Sequence, residues 1–165
     1  MEACPVSEIH KTVTIGASVE KVLAFLDDPK NVPKYAPNVE RVADIMASER
    51  RIGSTFRVTY KALGMTFDER FTVTGSETPP ITTPHRRFQI RQSFAGRMTG
   101  SLTWTLDAQD NETEASVDIE YVLVGGVLGK AVDVLVLRRN NERNAEVMLE
   151  NIKLVLAPYK VSTRQ

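Results

Sequence analysis

From residue 55 to residue 123, apolar and polar side chains take turns in segment after segment. That alternation constrains the fold more than any other feature of this chain. "STFRVTYKA" sets Phe56, Val58 and Tyr60 against Arg57, Thr59 and Lys61. "MTFDERFTV" sets Phe67, Phe71 and Val73 against Thr66, Asp68, Arg70 and Thr72, and Gly64 before it marks a tight turn, so the two segments read as a hairpin. "HRRFQIRQSF" sets Phe88, Ile90, Gln92 and Phe94 against Arg87, Gln89, Arg91 and Ser93. "GSLTWTLDA" sets Leu102, Trp104 and Leu106 against Thr99, Ser101, Thr103 and Thr105. "TEASVDIEYVLV" sets Ala115, Val117, Ile119 and Tyr121 against Glu114, Ser116, Asp118 and Glu120. Side chains two apart share one face of a strand, so each segment has one dry and one wet face. A run of such strands forms an antiparallel sheet covered on one side only.

The cover lies at the end of the chain. From about residue 129 to 157 the sequence reads as one helix, spanning roughly 40 Å at about 1.5 Å per residue. Val127, Ala131, Val134, Ala145, Leu149, Ile152 and Leu156 share one broad stripe on a helical wheel. The first part of the chain supplies a strand in "SEIHKTVTIGA", then a helix in "SVEKVLAFLDDP" with Ser18 as N-cap and Pro29 as stop. "KNVPKYAPN" has room for one short helical turn, and "VERVADIMAS" is the weakest strand. "GSETPPITTP" reads as a loop with three prolines.

Two interruptions of the dry surfaces stand out. Glu69 falls on the apolar side of its strand between Phe67 and Phe71. Arg138 falls near the middle of the helix stripe, with Asn141 and Glu142 about one turn on. An unpaired buried ion costs several kcal/mol, on the order of 5. In one reading Arg138 reaches water past its own methylene stem and Glu69 lies near a sheet edge. In the other the interior is hollow, and Glu69, Gln92, Tyr60, Tyr121 and Arg138 line a cavity, with an ion pair between Glu69 and Arg138 one possibility.

Composition narrows the function. The 165 residues read as one domain, and 21 basic side chains balance 21 acidic ones. A neutral chain lacks the basic surface that displaces counterions from nucleic acid, so nucleic-acid binding is not expected. The single cysteine, Cys4, excludes an internal disulfide. The N-terminus shows no basic-then-apolar leader, and no window approaches the roughly 20 apolar residues of a membrane span. The expected compartment is the cytoplasm, with transient membrane contact left open. No GxxxxGK[ST], GxGxxG, HExxH, CxxC or GxSxG string occurs. His10 and His85, both read as strand-end residues, are the only histidines, and no metal or cofactor is expected.

"VTIGASVEKVLAFLDDPKNVPKYAPNVERV", "LTWTLDAQDNETEASVDIEYVL" and "GGVLGKAVDVLVLRRNNERNAEVMLENIKLVL" resemble the opening, late hairpin and closing helix of the START-like (SRPBCC) superfamily. This is the helix-grip fold of the birch-pollen-allergen type and of polyketide cyclase/dehydrase-like proteins. The resemblance covers about residues 8–157, leaves 158–165 as a tail, and makes residues 1–165 a single such domain. It implies an α+β fold: a curved antiparallel sheet around a long C-terminal helix, with two short helices after the first strand. It also implies a deep apolar cavity that Glu69 would face. Relatives bind lipids, sterols, hormones, polyketides or quinones, and some cyclise or dehydrate polyketides. Others, of the type associated with carbon monoxide dehydrogenase, act as accessory factors. The glycine-rich loop of the plant-allergen branch has no counterpart in "GSETPPITTP", and two strand-end histidines do not suit the iron site of the ring-hydroxylase branch.

The expected function is binding or transport of a hydrophobic small molecule. Tyr60, Phe67, Glu69, Phe71, Phe88, Gln92, Trp104, Tyr121, Arg138, Asn141 and Glu142 are the candidate ligand-binding residues. Two alternatives stand beside it: a cyclase or dehydratase with Glu69 as general acid or base, and an accessory protein-interaction factor.

Overall fold

The computed structural model describes residues 6–49, 51–80, 82–83, 85–124 and 134–157. Strand β1 (Ser7–Ile15) leads into helix α1 (Val19–Asp27), a single-turn 3-10 helix (Pro29–Asn31) and helix α2 (Val32–Tyr35). Six strands follow: β2 (Val39–Met46), β3 (Thr55–Ala62), β4 (Met65–Glu77), β5 (Arg87–Ala95), β6 (Met98–Gln109) and β7 (Glu112–Leu123). Helix α3 (Val134–Leu156) closes the described chain. The strands form one antiparallel seven-stranded sheet in the order β1-β7-β6-β5-β4-β3-β2. This is the expected helix-grip architecture, a curved sheet wrapped around a long helix.

The alternation fixes which face turns inward. Phe56, Val58, Phe67, Val73, Phe88, Ile90, Phe94, Leu102, Trp104, Leu106, Ala115 and Val117 are all buried. Helix α1 adds Val19, Val22 and Leu26 to the same core. The weakest predicted strand, β2, is an edge strand with register irregularities, and Ile45 and Met46 at its end are exposed. An edge strand has one neighbour instead of two, which explains its thin apolar pattern. The expected loop at 75–84 begins later than its composition suggested. Gly75, Ser76 and Glu77 pair with Arg91, Ile90 and Gln89 as the end of β4. His10 lies inside β1, not at its end, and its Nδ1 is 2.6 Å from Asp118 Oδ1.

The stripe of α3 read off the sequence is the buried one at Ala145, Leu149, Ile152 and Leu156, but Arg138 does not turn inward from it. Leu137, Ala145, Leu149, Ile152 and Leu156 are buried, and Asn141 faces inward between the first two. Arg138 is exposed by half on its side chain and pairs with Glu142, one turn on, at 3.2 Å. The sequence reading drew its stripe partly from Val127 and Ala131, which lie outside the described residues. At 100° per residue Arg138 falls within this stripe, between Ala145 and Leu149, so its half-exposed position is not a matter of helical phase. Each fully buried Leu or Ile on it contributes about 1.5–3 kcal/mol. Polar ties hold the helix in place. Lys11 Nζ of β1 donates to Glu146 Oε1 at 2.7 Å, Asn151 Nδ2 donates to the Tyr35 carbonyl at 2.9 Å, and Lys21 Nζ donates to the Leu156 carbonyl at 3.2 Å.

Candidate functional site

Between the concave sheet face and α3 lies a cavity of about 150 Å³. Its walls are mostly apolar. The sheet supplies Phe56, Val58, Phe71, Phe94, Leu102 and Trp104, and α2 supplies Val32 and Tyr35. Helix α3 supplies Asn141, Asn144, Ala145 and Met148. The aromatic rings brace one another. Phe56 stacks on Phe71 with centroids 5.3 Å apart, and Tyr35 meets Trp104 edge-on at 6.1 Å. Such pairs hold a wall in shape beyond what area burial alone supplies.

Glu69 is the one carboxylate in this wall and is only 1% exposed. The register makes its position unavoidable. Phe67, Glu69, Phe71 and Val73 share the inward face of β4, and Glu69 is paired with Val58 of β3. Its diagonal neighbour on β3 is Tyr60, which pairs with Phe67. The Tyr60 hydroxyl donates to Glu69 Oε2 at 3.1 Å, and the Met98 backbone N–H donates to Oε1 at 3.1 Å. The Tyr60 ring stacks on Phe67 with centroids 5.3 Å apart, which fixes its direction.

The turn between β5 and β6 lies directly on β4. A Cβ at Gly96 would overlap the Asp68 carbonyl oxygen and sit 2.7 Å from Glu69 Cγ. Glycine at 96 thus lets the Met98 amide reach the carboxyl group. Burial pushes Glu69 up to about 7; the Met98 and Tyr60 hydrogen bonds favour the anion and oppose burial, and the nearby Asp68 charge adds to the rise. Burial first, then the charge and hydrogen bond of Glu69, push the Tyr60 phenol up. Burial alone raises the Tyr35 phenol.

Other polar groups in the wall are less well provided for. Among the described residues, the Gln92 amide and the Tyr121 hydroxyl have no hydrogen-bond partner, although Gln92 is 9% and Tyr121 4% exposed. The Asn141 amide reaches only the Met98 sulfur, at 3.8 Å. Among the described residues the fully enclosed side-chain atoms without a partner are Arg57 Nε, Arg86 Nε and Asn140 Nδ2, so the Gln92 and Tyr121 polar atoms, which are not among them, keep some accessible surface.

Of the residues singled out from sequence, Tyr60, Glu69, Phe71, Gln92, Trp104, Tyr121 and Asn141 come together around this cavity. Phe67 and Phe88 are buried in packed core outside its wall, Phe67 under Tyr60 and Phe88 beneath the Arg86 guanidinium. Arg138 and Glu142 pair with each other and are partly exposed, so the Glu69–Arg138 ion pair that the sequence left open does not form. The sequence reading missed Tyr35, Met98, Asn144 and Met148. Asn144 and Met148 stand three and seven residues after Asn141, a helical spacing that could have found them. Tyr35 sits in a proline-bounded turn without periodicity, and no sequence signal marks it. Among the described residues no cluster of His, Cys, Asp and Glu could hold a metal ion, and no helix is long and apolar enough to cross a membrane.

Comparison with known proteins agrees with this geometry. A START superfamily protein from Mycobacterium smegmatis superposes with a TM-score of 0.69 at 14% identity, over 91% of this chain and 97% of that one. The Zhui aromatase/cyclase from Streptomyces sp. R1128 superposes at 0.68 with 19% identity, over 95% and 100%. A truncated norcoclaurine synthase from Thalictrum flavum superposes at 0.55 with 13% identity, over 97% and 99%. At these identities the likeness is one of fold. No curated protein matches the chain by sequence. The family model described as polyketide cyclase / dehydrase and lipid transport matches residues 7–157. The chain therefore belongs to the polyketide cyclase / dehydrase and lipid transport family.

Proposed function

We propose that this protein binds a hydrophobic small molecule between the sheet and α3. The observation that carries this reading is the pair of unpartnered groups, the Gln92 amide and the Tyr121 hydroxyl, in a mostly apolar wall. Ligand pockets are built this way, with apolar walls and a few polar groups that set orientation. Trp104 is the only tryptophan of the chain and is part of the wall, so its emission reports directly on occupancy. Titration with farnesol, an apolar chain with one hydroxyl, is expected to change Trp104 emission saturably. At about a hundredfold excess over Kd it should raise Tm by about 5 °C. A flat emission curve and unchanged Tm, together with no co-purified apolar mass in native mass spectrometry, would remove the basis of the reading.

Glu69 favours a second reading, an enzyme of the cyclase or dehydratase kind. A carboxyl group held near 7 is half protonated at neutral pH, the condition in which one group can both give and take a proton. The Zhui neighbour is named an aromatase/cyclase, which agrees with this reading. Under it, Glu69→Gln abolishes turnover of a candidate poly-ketone substrate and leaves its binding within about twofold, because the amide keeps the carboxyl shape. Turnover by Glu69→Gln at the wild-type rate would take Glu69 out of the chemistry.

A further inference from the structure

A second cavity, of about 300 Å³, adjoins the first. It lies between the end of α1 and the segment that joins β2 to β3, and its polar lining is Asp27, Ser48, Glu49, Arg51, Ser54 and Thr55. Phe56 and Gln92 belong to the walls of both cavities. Only these two side chains are common to them, so they form the partition.

The partition is unusual in one respect. Gln92 is 9% exposed, and among the described residues its amide has no hydrogen-bond partner. Nothing but packing holds it, so its amide can turn toward either cavity without breaking a hydrogen bond. Size points the same way. Ligand pockets run from roughly 300 to 1,000 Å³. The first cavity falls short of that range and the second stands at its lower end, while the two joined fall inside it.

Charge selects the kind of end group. The Arg51 guanidinium is already paired with Asp27 at 2.8 Å, and its Nη1 donates to Ser76 Oγ at 3.3 Å. With Glu49 nearby, the lining holds more carboxylate than free cation. A carboxylate or phosphate would meet repulsion there, whereas Ser48, Ser54, Thr55 and the Gln92 amide suit an uncharged oxygen.

We propose that the two cavities are the two ends of one binding site for an elongated molecule. Its apolar chain lies against Trp104 and Phe94, and its uncharged oxygen group hydrogen-bonds Gln92 at the junction and extends into the second cavity. This rests on the reading that the first cavity binds a hydrophobic molecule.

The test uses the full chain and three probes, n-decanol, n-hexanol and decanoate, followed by Trp104 emission and calorimetry. Wild type is expected to bind decanol at least about tenfold more tightly than decanoate. Gln92→Leu should weaken decanol about tenfold while keeping Tm near or above that of wild type, because the Gln92 side chain makes no hydrogen bond that the substitution would remove. Ala47 lines only the second cavity and is exposed, so Ala47→Phe narrows it without touching the first. That variant should lose about tenfold for decanol and keep hexanol within about twofold. If both variants bind decanol as wild type does, or decanoate binds as tightly as decanol, the joined site is wrong. If farnesol binds but decanol does not, this inference alone fails. If none of the probes binds, the proposed function fails with it.

Discussion

Gly100→Ala is expected to lower the stability of this protein by at least about 3 kcal/mol, enough to remove much of the stability of a typical domain. Gly100 lies in β6, an interior strand of the sheet, opposite Tyr121 of β7 and Phe94 of β5. A Cβ there would overlap the Glu120 carbonyl oxygen and fall 2.8 Å from Tyr121 Cα. Both are backbone atoms of the neighbouring strand, so no side chain can rotate out of the way. The strands must part, and ladder hydrogen bonds at about 1 kcal/mol each go with them. Tyr121 is part of the cavity wall, so any variant that still folds should also show a weaker farnesol response. Urea unfolding followed by Trp104 emission measures the loss. A midpoint within error of wild type would mean that β6 and β7 are not this close.

The second large effect depends on pH. Glu69 rises from its ordinary value of 4.5 to about 7 in the folded chain, mainly through burial. The sign follows from proton counts. Between these two values the folded state holds a proton that the unfolded state has released, so stability falls as pH rises across that window. Each pH unit across the window is worth about 1.4 kcal/mol, so the full penalty, present above about pH 7, is about 3 kcal/mol. Glu69→Gln has no such penalty, and its amide can still accept from the Met98 N–H and donate to the Tyr60 hydroxyl. Variant and wild type should therefore be nearly equal in stability at about pH 5, with the variant ahead by about 2 to 3 kcal/mol at about pH 8. Urea midpoints at the two pH values provide the measurement. A stability difference that stays constant with pH would show that Glu69 is ionised throughout, and the acid–base reading would lose its support.

The two predictions concern residues of very different legibility. Glu69 could be seen as anomalous from sequence because a strand has a period of two, and a carboxylate between two phenylalanines breaks it. Its partners could not. Tyr60 lies nine residues away and Met98 twenty-nine, and their meeting at 3.1 Å depends on strand register and on the close approach of the turn at Gly96. Gly100 looked like the start of a threonine-rich strand, and nothing in its neighbours shows that the Glu120 carbonyl lies against it. Arg138 shows the opposite failure. The wheel puts it within the buried stripe, yet the side chain is half exposed and paired with Glu142. A helical wheel gives direction around the axis alone, and which turns of a helix the sheet covers is decided by tertiary packing.

The alternation of the strands, the long closing helix and the break at Glu69 were all set by local order along the chain. They depend on side-chain spacing, which strands and helices convert directly into faces, and so they decided the architecture and the inward direction of the carboxylate. The rest was decided in three dimensions. Which tyrosine holds Glu69, which amide is left without a partner, and why two cavities share Gln92 all follow from contacts between residues distant in sequence. Those contacts depend on sheet curvature and helix placement to within an ångström or so, a precision that no periodicity in the sequence encodes.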